Sequence, residues 1–366
     1  MNFNVSIPTK IISGIDCISQ NAGLLALGKN AFIVCGARGA KLSGALDDVT
    51  AALDSLEIKY TVFNKSRENP PVEMCFEGGK LCRKAGADLV IGIGGGSALD
   101  AAKAIALFAA NPELDMLDVY NKDKKKLSPL PLIAVPTTSG TGSEANGTSV
   151  LSLPDGLKKL SFATEWPRVS FLDPKYTYSL SHETTLSCAL DAFSHAVESY
   201  LSPKSTPLSR MMATFAAKSI FNIIKKQNTV YTPEERQELQ NAACAGGIAI
   251  SITGTGFPHP LGYSITMLDG VPHGSACAVF YKYYIEYNQK ADEGERLISE
   301  LCREIGTTPE ELSVLIPTLS GVKLELTDEE IEKRVSLIAG AKNYVNSPYV
   351  LSDEEKTEIY KNLFKK

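Results

Sequence analysis

The feature that most restricts the fold is a change of rhythm near residue 177. Up to about residue 176, short apolar runs alternate with stretches of helical spacing. Ala31 to Cys35, Tyr60 to Phe63, Leu89 to Ile93 and Leu132 to Val135 read as strands. Ala45 to Leu56, Val72 to Ala85 and Ala98 to Ala109 read as helices between them. Strands that alternate with helices pair in parallel through crossovers, so an α/β, doubly wound, Rossmann-like sheet is expected. After Phe171-Leu-Asp-Pro174 the β pattern stops. Helical stretches follow at Thr184 to Leu201, Ser209 to Lys226, Pro233 to Ile250, Ala276 to Tyr287, Asp292 to Ile305, Asp328 to Ala339 and Asp353 to Phe364. Ser352-Asp-Glu-Glu355 fits a capping box, and Pro233 follows the capping Thr232. Two domains are expected: residues 1–176, α/β, and residues 177–366, all-helical.

Composition narrows the function classes. A chain of 366 residues exceeds one small core, and 44% hydrophobic with 22% charged residues is a soluble globular balance. A net charge of -5 offers no cationic excess for phosphates, so no nucleic-acid partner is expected. The basic run Lys124 to Lys126 reads as a solvated loop. The start, Met1 to Pro8, lacks a signal peptide's charged and apolar regions, and no run of about 18 apolar residues occurs. A cytoplasmic location away from membranes is the expectation. Eight cysteines, with no Cys-x-x-Cys pair, read as reduced, buried thiols rather than a zinc ribbon or redox dithiol.

Two turns carry ligand-binding character. Ile91-Gly-Ile-Gly-Gly-Gly-Ser97 leaves a strand and enters a helix. Gly94, Gly95 and Gly96 let the backbone approach a pyrophosphate, the helix N-terminus supplies N–H donors, and Ser97 adds a hydroxyl. The pattern is neither G-x-G-x-x-G nor a Walker loop. Val135-Pro-Thr-Thr-Ser-Gly-Thr-Gly-Ser-Glu144 follows the next strand and is dense in hydroxyls. In open sheets, ligands sit beyond the carboxyl ends of strands, where two such turns can serve one phosphate-bearing ligand.

Only four histidines occur: His182, His195, His259 and His273. Asp191 and His195, four apart on a helical stretch, share one face, as an ion pair or as half of a ligand set. His259 and His273 stand against proline or glycine, which places them at helix ends. Asp191, His195, His259 and His273 form a ligand set for a divalent ion on the border between Fe²⁺ and Zn²⁺. Spacing does not establish that the two pairs meet; side chains within about 6 Å of Asp191 would. His182 reads as a loop residue without a chemical role.

With these motifs in order, the sequence resembles the iron-containing alcohol dehydrogenase family, of dehydroquinate-synthase-like fold. The resemblance runs from Ile7-Pro-Thr-Lys-Ile-Ile-Ser-Gly14 to about Ala278 and thins beyond. It covers Asn69-Pro70, Gly94 to Lys103, Pro136 to Glu144, Asp191-Ala-Phe-Ser-His195 and Pro272-His-Gly274. It implies cofactor contacts at Asn69, Gly94, Gly95, Gly96, Ser97, Asp100, Thr137, Thr138 and Thr141, and at Lys159, which has Lys158 beside it. It also implies a nucleotide-binding domain, a helical metal-binding domain, a cleft between them where alcohol and aldehyde interconvert, and a homodimer. Iron is the expected metal, with zinc the alternative.

The family pattern His-x-x-x-His-Pro-Leu-Gly is altered here. His259 is followed by Pro-Leu-Gly, but its spacing to the final histidine, 273 − 259 = 14, matches the family's ligating histidine. His259 is therefore the ligand, and Tyr263 replaces the second histidine. A phenol near pKa 10 is a poorer proton acceptor than imidazole, which leaves Tyr263 as a relay or a pocket residue. The family's acidic residue after the second strand is also missing. Gly36-Ala-Arg38 offers room and a cation for a 2′-phosphate, so NADP(H) is expected over NAD(H). Competing readings are a dehydroquinate-synthase-like lyase, a zinc polyol dehydrogenase, and a non-catalytic cofactor-binding relative.

Overall fold

The computed structural model describes residues 3–366. They form two compact units, Ser6–Leu180 with Tyr231–Cys244, and Ser181–Val230 with Ala245–Lys366 and residues 3–5. The helix Pro233–Thr253 thus gives its first part to one unit and its remainder to the other.

In the first unit, β1 (Lys10–Ser13), β2 (Asn30–Gly36), β3 (Lys59–Ser66), β4 (Leu89–Gly94), β5 (Leu132–Pro136) and β8 (Val169–Leu172) make one sheet, ordered β1-β8-β5-β4-β2-β3. Every pairing in it is parallel. The expected doubly wound α/β sheet is present. Side-chain alternation supplies its two faces. Ala31, Ile33 and Cys35 join Ile91, Ile93 and the helix Ala45–Ser55 in one core. Phe32 and Val34 join Val90 and the helices Val72–Lys84 and Gly96–Ala110 in the other.

The chain steps outward from β2 to β3, then returns to place β4 on the other side of β2. Strand order reverses there, which opens a crevice beyond the carboxyl ends of β2 and β4. Gly36 and Gly94 end these two strands. An antiparallel hairpin, β6 (Thr148–Ser152) and β7 (Lys159–Ala163), stands apart from the sheet.

The second unit is helical, as expected, with the longest runs at His182–Leu201 and Pro207–Ile224. Two readings need correction. The helix expected over Ala276 to Tyr287 is two, His273–Ala278 and Tyr281–Asn288, broken at Val279 and Phe280. The helices Pro258–Asp269 and Pro309–Ser320 were not anticipated. The prolines at 258 and 260 lie in the first turn, where no intrahelical N–H partner is lost. Among the described residues no helix is long and apolar enough to cross a membrane. All eight cysteines lack disulfides, and seven are buried.

Candidate metal centre

Three helices of the second unit each lend a pair of residues one turn apart. Asp191 and His195 lie on His182–Leu201, His259 and Tyr263 on Pro258–Asp269, and His273 and Cys277 on His273–Ala278. Such spacing aligns both members of a pair on one helix face. Gly274 permits the approach of the third helix: a Cβ there would overlap the Ser187 carbonyl oxygen and stand 2.7 Å from Asp191 N.

The four expected ligands converge. Nε2 of His195, His259 and His273 lie 3.5, 3.6 and 3.8 Å from the same Asp191 oxygen, Oδ1. The rings of His195 and His259 stack at 4.8 Å, and that of His273 meets His259 edge-on at 5.3 Å. Bonds of about 2.1 Å at tetrahedral angles separate neighbouring donors by about 3.4 Å, so these spacings suit a shared cation. Asp191 Oδ1 and His259 Nε2 are also buried without a hydrogen-bond partner. Buried polar atoms are rarely left so, and a cation resolves both. The donor set fits a divalent metal.

Glu198, three residues beyond His195, was missed by the sequence reading. It is fully buried, and both its oxygens lie 2.9 Å from His259 Nδ1. Ser194 Oγ donates to one oxygen, and the Gly256 N–H donates to the other at 2.5 Å. This carboxylate keeps a proton on Nδ1 and turns Nε2 toward Asp191. The signal was a glutamate seven residues after Asp191, on the same helix face.

Electrostatics follow the geometry. Burial opposes ionisation of Asp191, but His195, His273 and His259 hold its carboxyl well below the usual carboxylate range. Burial also opposes a charged His259, yet Glu198 and Asp191 outweigh it and push its pKa up to about 10. Tyr263 stacks on His273 at 5.6 Å, with 21° between the rings. Burial, aided by Cys277, Glu198 and Asp191, pushes its phenol above the ordinary tyrosine value. The donor atoms within 4.8 Å of one another are those of Asp191, His259, His273 and Cys277; His195 approaches Asp191 and stacks on His259 beside them, and His182, which begins its helix, lies outside the group.

The expected cofactor residues all lie in the first unit. The two turns pack on each other. A Cβ at Gly96 would stand 2.6 Å from Thr141 Oγ1, and one at Gly95 3.1 Å from Thr138 Oγ1. Thr137 N donates to Gly94 O at 3.0 Å. The helix Gly96–Ala110 begins with no side-chain cap and no acidic residue in its first turn; the Ala98 and Leu99 N–H groups donate to Gly95 O, which leaves those of Gly96 and Ser97 to an anion. Both Asp100 oxygens are engaged internally, by Ser143 Oγ at 2.6 Å and Val150 N at 3.0 Å, so Asp100 ties the helix to the second turn and β6. Lys159 acts electrostatically on Asp100, and Lys158 is exposed. Asn69 adopts a left-handed φ of 51° and accepts from Ser152 through its carbonyl. Gly36 lies in β2, and Arg38 is exposed.

Comparisons with known proteins show which family the chain belongs to. Residues 8–174 match the iron-containing alcohol dehydrogenase family. Residues 185–364 match the Fe-containing alcohol dehydrogenase family, C-terminal part, so the likeness does not thin beyond Ala278. An iron-containing alcohol dehydrogenase from Thermotoga maritima superposes with a TM-score of 0.92 at 34% identity, covering 99% of each chain. Sulfoacetaldehyde reductase from Bifidobacterium kashiwanohense, solved with NAD⁺, gives 0.87 at 28% identity, again over 99% of each. An NADPH-dependent butanol dehydrogenase of Clostridium saccharobutylicum is 28% identical over 319 residues, 84% of this chain and 80% of that one.

Proposed function

The chain belongs to the iron-containing alcohol dehydrogenase family of oxidoreductases, and on that basis we propose that it interconverts a small alcohol and its aldehyde with NADP(H). One observation carries the reading: three imidazole nitrogens within 3.8 Å of a single buried Asp191 oxygen. Asp191, His195, His259 and His273 would hold Fe²⁺ or Zn²⁺, which supplies Lewis acidity to the substrate oxygen when bound. The Gly94–Ser97 and Thr137–Thr141 turns would hold the nicotinamide cofactor, which would supply hydride exchange with the substrate carbon.

The chain's own groups have the remaining tasks. The helix Gly96–Ala110 directs its uncapped N–H groups at the pyrophosphate, and Ser97, Thr138 and Thr141 add hydroxyls. Lys159 and Asn69 complete the cofactor contacts. Glu198 fixes the His259 tautomer. Tyr263 keeps its proton at neutral pH and serves as an aromatic wall against His273, so water carries the alcohol proton. Arg38, exposed beyond β2, would offer a cation to a 2′-phosphate, and its exposure is what supports NADP(H).

A cytosolic homodimer belongs to the same proposal, and sedimentation decides its oligomeric part. Anaerobically purified protein should contain about one divalent ion per chain and oxidise NADPH with short aldehydes. His259→Ala should lose both. A metal-replete protein inert toward every short aldehyde would favour a cofactor-binding protein without catalysis. A roughly tenfold preference for NADH, about 1.4 kcal/mol, would sink the cofactor assignment.

A further inference from the structure

Beside the four expected ligands stands a sulfur. Cys277 follows His273 by one helical turn and is fully buried. Its Sγ is 3.8 Å from His273 Nε2 and 3.9 Å from Nδ1. Near-equal distances put the sulfur beside the imidazole, with one torsion, χ1, governing its approach to the other donors. Donor atoms of Asp191, His259, His273 and Cys277 all lie within 4.8 Å of one another. Two of these partners, Asp191 Oδ1 and His259 Nε2, are the buried atoms without a hydrogen bond.

We propose that Cys277 is a further donor of this centre, whose thiolate joins Asp191, His259 and His273 on a thiophilic divalent cation. The inference rests on the reading of Asp191, His259 and His273 as metal ligands. On binding, the S–H bond breaks, its proton passes to solvent, and a sulfur–metal bond forms with no change of oxidation state. A thiolate softens the donor set and moves its preference from Fe²⁺ toward Zn²⁺. A buried cysteine acting only as a small apolar residue would do neither.

The chelator-stripped full chain is titrated with Co²⁺ without oxygen, wild type beside Cys277→Ser. Visible d–d bands are expected from both, with a near-ultraviolet thiolate-to-cobalt charge-transfer band from the wild type alone. Wild-type d–d bands without charge transfer, or a charge-transfer band that survives Cys277→Ser, overturn the sulfur donor and leave the metal centre standing. Absence of d–d bands from the wild type overturns the centre and the sulfur donor together. If the serine variant does not fold, cadmium NMR of Cd²⁺-loaded wild type answers the same question. A strong downfield shift marks the thiolate, and an upfield one refutes it.

Discussion

Replacing Glu198 by alanine is expected to weaken metal binding, once proton competition is factored out, by about ten- to a hundredfold, the usual effect of losing the group that orients a ligating imidazole. That is about 1.4–2.7 kcal/mol of binding free energy. The effect is large because Glu198 is fully buried and accepts from three donors: His259 Nδ1, Ser194 Oγ and Gly256 N. Each buried donor left unsatisfied costs about 1–3 kcal/mol, so folding stability falls as well and must be measured separately. pH dependence separates orientation from general loosening. Protons compete with metal for His259 Nε2, so with a His259 pKa of about 10 the apparent affinity rises about tenfold per pH unit below that value. Glu198 is the largest influence holding this pKa up, so in Glu198→Ala the rise should level off at lower pH. Zinc competition against a chromophoric chelator, from about pH 6 to about pH 9, reads both effects. A folded variant whose affinity stays within about a factor of two of wild type at every pH refutes the orienting role.

Gly96→Ala places a Cβ against Thr141, so stability should fall by about 1–3 kcal/mol and cofactor affinity with it. An unchanged denaturation midpoint would contradict the packing of one turn on the other. Arg38→Ala should raise the KM for NADPH while leaving that for NADH unchanged; equal effects on both would remove Arg38 from 2′-phosphate recognition. Tyr263→Phe should change kcat by less than about tenfold, because a positioned general acid or base contributes roughly a hundredfold or more. Tyr263→His should add a titration near the ordinary histidine pKa, about 6.5, to the rate profile, and a profile identical to wild type would show that position 263 never meets the moving proton.

Short continuous apolar runs made β2, β4 and β5 legible because both faces of a buried parallel strand must be apolar. β6 and β7 escaped notice: their hairpin stands outside the sheet and β7 is largely exposed, so no apolar alternation marks it. β1, four residues at the sheet edge, is too short to show a period. The proposed metal ligands stood out because histidine is scarce here, and a fourteen-residue spacing suggested which family position His259 fills. Glu198 and Cys277 were missed because one glutamate on a long helix, or one buried cysteine, looks like its neighbours until the other helices are in place. The bonds from Ser143 and Val150 to Asp100 were not legible, because these partners lie more than forty residues away in the chain.

The donors span Asp191 to His273, so more than eighty residues must be made and collapsed before any ion can be gripped. A nascent chain that ends before His273 has no complete grip to offer. Loading would thus have to wait until His273 has been made, and the ion that entered would be drawn from whatever the cell held free at that moment. Two cells with the same gene and different ion pools would fill the same three helices differently, and isolates from each would differ in colour and in sensitivity to air.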